Sequence, residues 1–135
     1  MAFSRGLLWL NVVLFGAYGL AYLVAPDSCS QLLNGADFPT AAAAIDARAV
    51  YSGMAFGLTA LLWLAARGGL ELQRYGQIGC AVAYGSVAFG RLLGILVTRS
   101  PSVLTWTLLG AEASFALLSW YALRTLKTEV TSVRV

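Results

Sequence analysis

The sequence predicts an all-α integral membrane protein, an up-and-down bundle of four helices, and three observations carry that prediction. Apolar residues gather in four stretches of about twenty, the helix length needed to cross a hydrocarbon core of roughly 30 Å. Of the 135 residues, 59% are hydrophobic and 11% charged, where soluble domains carry roughly 25% charged residues. Short polar turns separate the stretches, with no repeat, low-complexity tract or interdomain linker, so residues 1–135 are expected to form a single domain.

The first span covers residues 6–25, with Arg5 before it and Pro26 and Asp27 after it. A basic start ahead of an apolar run also describes a signal peptide. Here the run is too long for such a core, no A-x-A site precedes a plausible cut, and Asp27 and Ser28 do not suit lipoprotein processing at Cys29, so the helix is expected to be retained. Residues 27–44 are polar or small around Leu32, Leu33 and Phe38, the pattern of an interfacial loop that dips apolar side chains into the headgroup layer. The second span covers 47–66, and Thr40 with the alanines Ala41 to Ala44 favours an earlier helix start. Arg67, Gly68, Gly69, Glu71 and Arg74 form a polar turn ahead of the third span, 77–97. Thr98, Arg99, Ser100, Pro101 and Ser102 form the next turn. The fourth span, 103–123, runs into a polar tail with Arg124, Lys127, Glu129 and Arg134.

Cytoplasmic flanks of membrane spans are enriched in Lys and Arg. Arg5, Arg67, Arg74, Arg124, Lys127 and Arg134 fall on one side of the predicted spans, and only Arg99 falls on the other. This asymmetry places a multi-pass protein in a cell inner membrane with both termini cytoplasmic. Tyr18, Tyr22, Trp63, Trp106 and Trp120 fall near span ends, where amphipathic rings prefer the interface.

Composition also narrows the chemistry. The net charge of +3 comes from basic residues scattered beside apolar segments and not from a patch with interleaved aromatics, so no nucleic-acid partner is expected. The chain has no His, the commonest ligand of zinc, copper and haem, and neither a metal site nor a cofactor is expected. Cys29 and Cys80 show no metal or redox spacing, fall on opposite sides of the predicted membrane and are taken as small apolar fillers.

The informative residues are charges inside the spans. Arg91 lies six residues, or ~9 Å, from the outer end of its span, and Glu112 nine residues, or ~14 Å, from the outer end of its own. Asp46 and Arg48 open the second span at the same side. An isolated charge at the bilayer centre costs at least ~2.5–3.5 kcal/mol, so Arg91 and Glu112 are expected to face the bundle interior as a salt bridge with two parallel hydrogen bonds. Tyr51 and Ser52, one turn after Arg48, are expected to extend this into an outward-opening polar pocket. Asp46 and Arg48 lie about 200° apart on a helix, so Arg48 is the inward candidate and Asp46 the one at headgroup level. Ligand contact is therefore expected at Asp46, Arg48, Tyr51, Ser52, Arg91 and Glu112. Asn11 is expected to make a helix-to-helix hydrogen bond. Small residues at four-residue spacing, Ala49, Gly53 and Gly57 and then Ser86, Gly90 and Gly94, are expected to pack closely against other helices of the bundle.

The segments Asp46-Ala47-Arg48-Ala49-Val50-Tyr51-Ser52-Gly53 and Ala88-Phe89-Gly90-Arg91-Leu92-Leu93-Gly94, with Glu112 in the last span, resemble a bacterial four-helix membrane family, domain of unknown function 4345. That family opens its second helix with an acidic-x-Arg-Ala pattern, carries a Gly-Arg pair in the third and an acidic residue in the fourth. Asp46 stands where Glu is more usual, and Ser52 where a first glycine is often seen. More distantly the chain is similar to DoxX-like four-helix proteins, some of them linked to quinol oxidation. The resemblance implies a fold and a membrane location but no reaction.

Two arginines against one deep carboxylate favour a non-enzymatic membrane protein that binds a small amphipathic or anionic ligand, or a partner subunit, in addition to the lipid bilayer. One alternative is a small enzyme acting on a lipid or sterol-like substrate, with Glu112 and Asp46 as acid and base. Another is an accessory subunit of a respiratory complex.

Overall fold

The computed structural model describes residues 2–99 and 102–132, with the side chains of all these except 34, 98 and 127–132. The expected turn residues Ser100 and Pro101 and the tail residue Arg134 lie outside the described residues, as do the side chains of Lys127 and Glu129. The described residues form five helices and no strand: α1 (Ala2–Val24), α2 (Pro26–Asn34), α3 (Ala41–Arg67), α4 (Leu70–Thr98) and α5 (Val103–Ser132). All but α2 are long and apolar enough to cross a membrane.

Local chemistry sets the boundaries. Pro26 starts α2, where its missing N–H costs nothing, and Gly35 ends it in the left-handed conformation with its N–H donating to the Gln31 carbonyl at 2.9 Å. The segment between the first two spans therefore contains a helix, where an interfacial loop was expected. Thr40 caps α3, its hydroxyl accepting from the Ala43 N–H at 3.1 Å, which is why this helix begins at Ala41 and not at the charged motif. Helix α4, the third of the long helices, begins at Leu70, seven residues ahead of the expected span. There Gly69 accepts from the Gln73 N–H at 3.1 Å and the Gln73 amide donates to the Gly68 carbonyl at 3.2 Å. At the other end of α4, Arg99 takes the left-handed conformation (φ 54°) and donates its N–H to the Ile95 carbonyl at 2.9 Å. Ser102 then caps α5 by accepting from the Thr105 N–H at 3.1 Å.

Within α3, residues Arg48–Ser52 form a π-helical turn, which widens the backbone and leaves one carbonyl out of the regular ladder. The Ser52 hydroxyl donates to the Arg48 carbonyl and supplies a partner from within the same helix.

The chain forms two compact units, and each is described by itself. Residues 9–64 hold most of α1, all of α2 and most of α3. Gly19 of α1 is the close approach here: a Cβ on it would lie 3.1 Å from the Ala55 Cβ and 3.0 Å from the Phe56 ring. Tyr22, only 3% exposed, lies 4.8 Å from the ring of Tyr18 and 4.9 Å from that of Tyr51. Asn11 is fully buried and partnered.

The other unit joins residues 1–8 to residues 65–135. Helices α4 and α5 pack against each other as an antiparallel hairpin, with Arg91 opposite Glu112 and Tyr84 opposite Phe115. Phe3 meets Tyr121 edge-on at 5.9 Å, and Tyr84 stacks on Phe115 at 5.1 Å. Gly76 is the tightest point, since a Cβ there would lie 2.7 Å from the Ala65 Cβ and 3.0 Å from Leu8.

The small-residue stripes behave differently from expectation. Within their own units, nothing among the described residues lies within 4 Å of a Cβ built on Gly53, Gly57, Gly90 or Gly94. The close contacts instead fall on Gly19 and Gly76, which belong to neither stripe.

Candidate functional site

Arg91 of α4 and Glu112 of α5 face each other across the hairpin. The Arg91 Nε donates to Glu112 Oε2 at 2.9 Å and its Nη2 donates to Oε1 at 2.7 Å, a fork-on-fork pair that satisfies both carboxylate oxygens. Arg91 sits seven residues, or ~10 Å, from the end of α4 at the Arg99 turn, and Glu112 nine residues, or ~14 Å, from the start of α5. An antiparallel hairpin brings two such positions to one level. Pairing removes a cost of several kcal/mol that either charge alone would impose in hydrocarbon.

The pair is not sealed. The Arg91 side chain is 29% exposed and that of Glu112 14%. Ser86, Gly90 and Gly94, on the same helix, are exposed and carry little or no side chain, so the surface around Arg91 is open where a tight helix contact was expected. Two turns further from the Arg99 turn, the stacked Tyr84 and Phe115 close the space between the helices.

The other expected ligand residues lie in the unit of residues 9–64. Arg48 is half-buried and Asp46 exposed, as the 200° offset predicts, and Arg48 makes no ion pair among the described residues of its unit. Ser52 is buried with its hydroxyl turned to the Arg48 carbonyl. Tyr51 is 44% exposed and packs against Tyr22. Tyr18 in turn packs against Tyr22, their ring planes tilted by 47°. A ladder of three phenols thus adjoins the Arg48 turn, and it was not expected. Its signal is the four-residue spacing of Tyr18 and Tyr22, which puts both on one helix face. A purely interfacial role would not have buried Tyr22.

A second missed feature lies at the opposite end of the α4–α5 hairpin. Ser4, Gln73, Gln77 and Ser119 are each at most 1% exposed. The Gln77 amide donates to the Ser4 carbonyl at 2.9 Å and to its hydroxyl at 3.2 Å, tying the start of α1 to α4. Gln73 Oε1, Gln77 Oε1 and Ser119 Oγ have no hydrogen-bond partner among the described residues. Gln73 was expected in a polar turn and Gln77 at a span edge; because α4 starts early, both become interior residues on one face. No group of three His, Cys, Asp or Glu side chains that could hold a metal ion occurs among the described residues.

A family model described as domain of unknown function (DUF4345) matches residues 3–123, which include both helices of the Arg91–Glu112 pair and the Arg48 turn. No curated protein and no solved structure matches the chain.

Proposed function

For a chain that belongs to the family domain of unknown function 4345 and carries four helices able to cross a bilayer, we propose a multi-pass inner-membrane protein that binds a small amphipathic or anionic ligand, or a partner subunit, at its Arg/Glu positions. The observation that carries this reading is the part-open Arg91–Glu112 pair, two charged side chains inside the apolar spans of α4 and α5. Buried ion pairs seldom add net stability over apolar side chains of similar volume, so a pair that serves only to hold two helices is an expensive solution. An ionised pair reachable from outside gives a polar headgroup or a partner's side chain something specific to meet in lipid. Arg48, with no ion pair in its own unit, adds a cation available to an anionic group, and Tyr51 and Asp46 supply exposed polar atoms near it.

The same geometry weighs against the alternative in which Glu112 works as acid or base on a lipid or sterol-like substrate. Both its oxygens already accept from Arg91, so the pair would have to open before any proton transfer.

Native mass spectrometry of protein purified in mild detergent tests the proposal. The expected spectrum retains a non-protein mass or a partner chain, which is lost in the Arg91→Leu/Glu112→Leu double variant and weakened in Arg48→Gln. A wild-type spectrum of the bare chain under conditions that preserve other membrane complexes would overturn the binding role. The proposed orientation, with both termini and the 67–74 turn cytoplasmic, is tested by single-cysteine labelling on a cysteine-free background. Cysteine at Asn34 should react from outside the cell, and reaction only after the inner side is exposed would reverse the orientation.

A further inference from the structure

Arg48 is the only Lys or Arg in residues 9–64, a stretch that also holds Asp27, Asp37 and Asp46. All three carboxylates are exposed, yet the half-buried Arg48 pairs with none of them, and its guanidinium has no hydrogen-bond partner among the described residues. Packing explains why it stays apart from them. Ala44, Arg48 and Ser52 lie one turn apart along α3 and both neighbours are buried, so the root of Arg48 is on the inward face. This face runs antiparallel to α1: Gly16 lies beside Thr59, Gly19 beside Ala55 and Tyr22 beside Tyr51. One further turn brings Arg48 level with the buried Pro26, where α1 gives way to α2.

With 27 residues, α3 is about seven longer than a hydrocarbon core of roughly 30 Å requires. Counted back from Arg67, the core ends near Ala47, so Arg48 sits at its boundary with the headgroups. From there a ladder of rings descends into the core. Tyr51 lies about one turn deeper than Arg48 on α3, and Tyr18 one turn deeper than Tyr22 on α1. Tyr51 is 44% exposed and Tyr18 39%, with the buried Tyr22 between them at 4.9 and 4.8 Å. One unpaired cation at the headgroup boundary thus stands above an aromatic track. We propose that this place binds the carboxylate of a single-chain amphipathic acid, the guanidinium donating to both oxygens and the hydrocarbon chain lying along Tyr51 and Tyr18. A terminal, planar carboxylate matches the guanidinium fork and brings one negative charge for one positive. A phosphate monoester brings about −1.5 to −2 at neutral pH, in a unit where Asp already outnumbers Arg three to one. A phosphodiester lipid has no terminal charged group to enter beside the buried Ala44 and Ser52. The assignment rests on the binding role proposed above and gives its ligand a chemical class; it does not involve Arg91 or Glu112.

The test uses full-length protein in phosphatidylcholine nanodiscs with oleate isotopically labelled at its carboxyl carbon, whose NMR signal reports ionisation directly. A neighbouring guanidinium favours the charged form, so the wild type should give a carboxyl signal whose titration midpoint lies about 1–3 pH units below that of oleate in protein-free nanodiscs. Arg48→Gln should return the midpoint to the protein-free value, and Arg48→Lys, which keeps the charge but not the fork, should retain a smaller depression. Arg99→Gln, which removes an exposed cation of the other unit, should leave the depression unchanged. An undepressed midpoint in the wild type, or a depression that survives Arg48→Gln, would overturn the proposal. So would displacement by equimolar hexadecyl phosphate, which would assign the place to phosphate, or by equimolar acetate, which would show that the rings hold no chain. If the wild type keeps a ligand mass in native spectra but leaves the oleate midpoint undepressed, the carboxylate assignment fails and the binding role stands.

Discussion

The two units hold their helices together by different means. In the unit built on α4 and α5, polar groups reach across from one helix to another: Arg91 to Glu112, and Gln77 to Ser4. In the unit of residues 9–64, the hydroxyls of Ser52 and Thr59 bond to carbonyls of their own helix, and α1 meets α3 through Gly19 and the rings of Tyr22 and Tyr51. In hydrocarbon an apolar contact gains little over lipid, whereas an unmet charge or amide is costly, so cross-helix polar bonds specify one arrangement more strictly than ring packing does. The α4–α5 hairpin should therefore be the part that fails most sharply when a single polar atom is changed.

The largest expected effect comes from Glu112→Gln. It removes the counter-charge of Arg91 without removing volume, and breaking a buried pair from one side costs about 3–5 kcal/mol, reduced here to about 2–3 because the Arg91 side chain is partly open. Asp37→Asn, at an exposed position of the other unit, should leave the melting curve in detergent unchanged. Arg91→Leu/Glu112→Leu should recover most of the stability lost by Glu112→Gln while abolishing ligand retention. If the single variant melts with the wild type, the pair is not what joins α4 to α5.

Glycine substitutions sharpen the contrast. Gly76→Ala places a Cβ 2.7 Å from that of Ala65, an atom fixed to its own backbone, so the helices must separate; overpacking of this kind costs about 1–3 kcal/mol. At Gly19 the nearest atom is the Phe56 ring at 3.0 Å, with the Ala55 Cβ at 3.1 Å. The ring can turn aside, so Gly19→Ala should cost less. Gly90→Ala, with open space around it, should be neutral or stabilise through helix propensity. Thermal unfolding of the three variants gives the order directly, and a Gly90→Ala loss equal to that of Gly76→Ala would show that the stripe beside Arg91 is covered by another molecule.

These positions also show what the sequence made legible. Apolar runs marked all four long helices, because length against bilayer thickness is a strong signal, and charge depth paired Arg91 with Glu112, because an isolated intramembrane charge has few alternatives. Four-residue spacing of small side chains marked Ser86, Gly90 and Gly94 as a contact face, yet spacing specifies only a face and not what lies opposite it. Gly19 and Gly76 carry no such repeat, and their role depends on the neighbours Ala55, Phe56, Ala65 and Leu8, which tertiary structure alone brings near. Gln73 and Gln77 were hidden for a simpler reason. Hydropathy placed the start of the third span after the polar turn, whereas Gly69 starts the helix earlier and carries both amides into the interior.

Gln77→Leu tests whether those amides matter to the hairpin unit. The variant removes the donor to Ser4 but also removes an oxygen that has no partner among the described residues, so the two changes partly offset. A loss of about 0.5–1 kcal/mol is expected, the scale of interhelical hydrogen bonds in membranes. Gln77→Glu should cost more, because it places a carboxylate where a donor to the Ser4 carbonyl is required. Equal stability of the Leu and Glu variants would mean that this interior is hydrated.

At Arg99 a small effect of the opposite sign is expected. This residue ends α4 at φ 54°, a conformation that crowds the Cβ of an L-residue and that glycine adopts freely. Its side chain is exposed, while its backbone N–H closes the cap on the Ile95 carbonyl and would still do so in glycine. Arg99→Gly should therefore stabilise the hairpin by about 0.5–1 kcal/mol, the relief of strain being partly offset by the greater freedom of glycine in the unfolded chain. Arg99→Ala removes the same charge but keeps the Cβ, so it should show no gain. If both variants stabilise equally, the charge of Arg99 and not its backbone is what the turn tolerates at a cost.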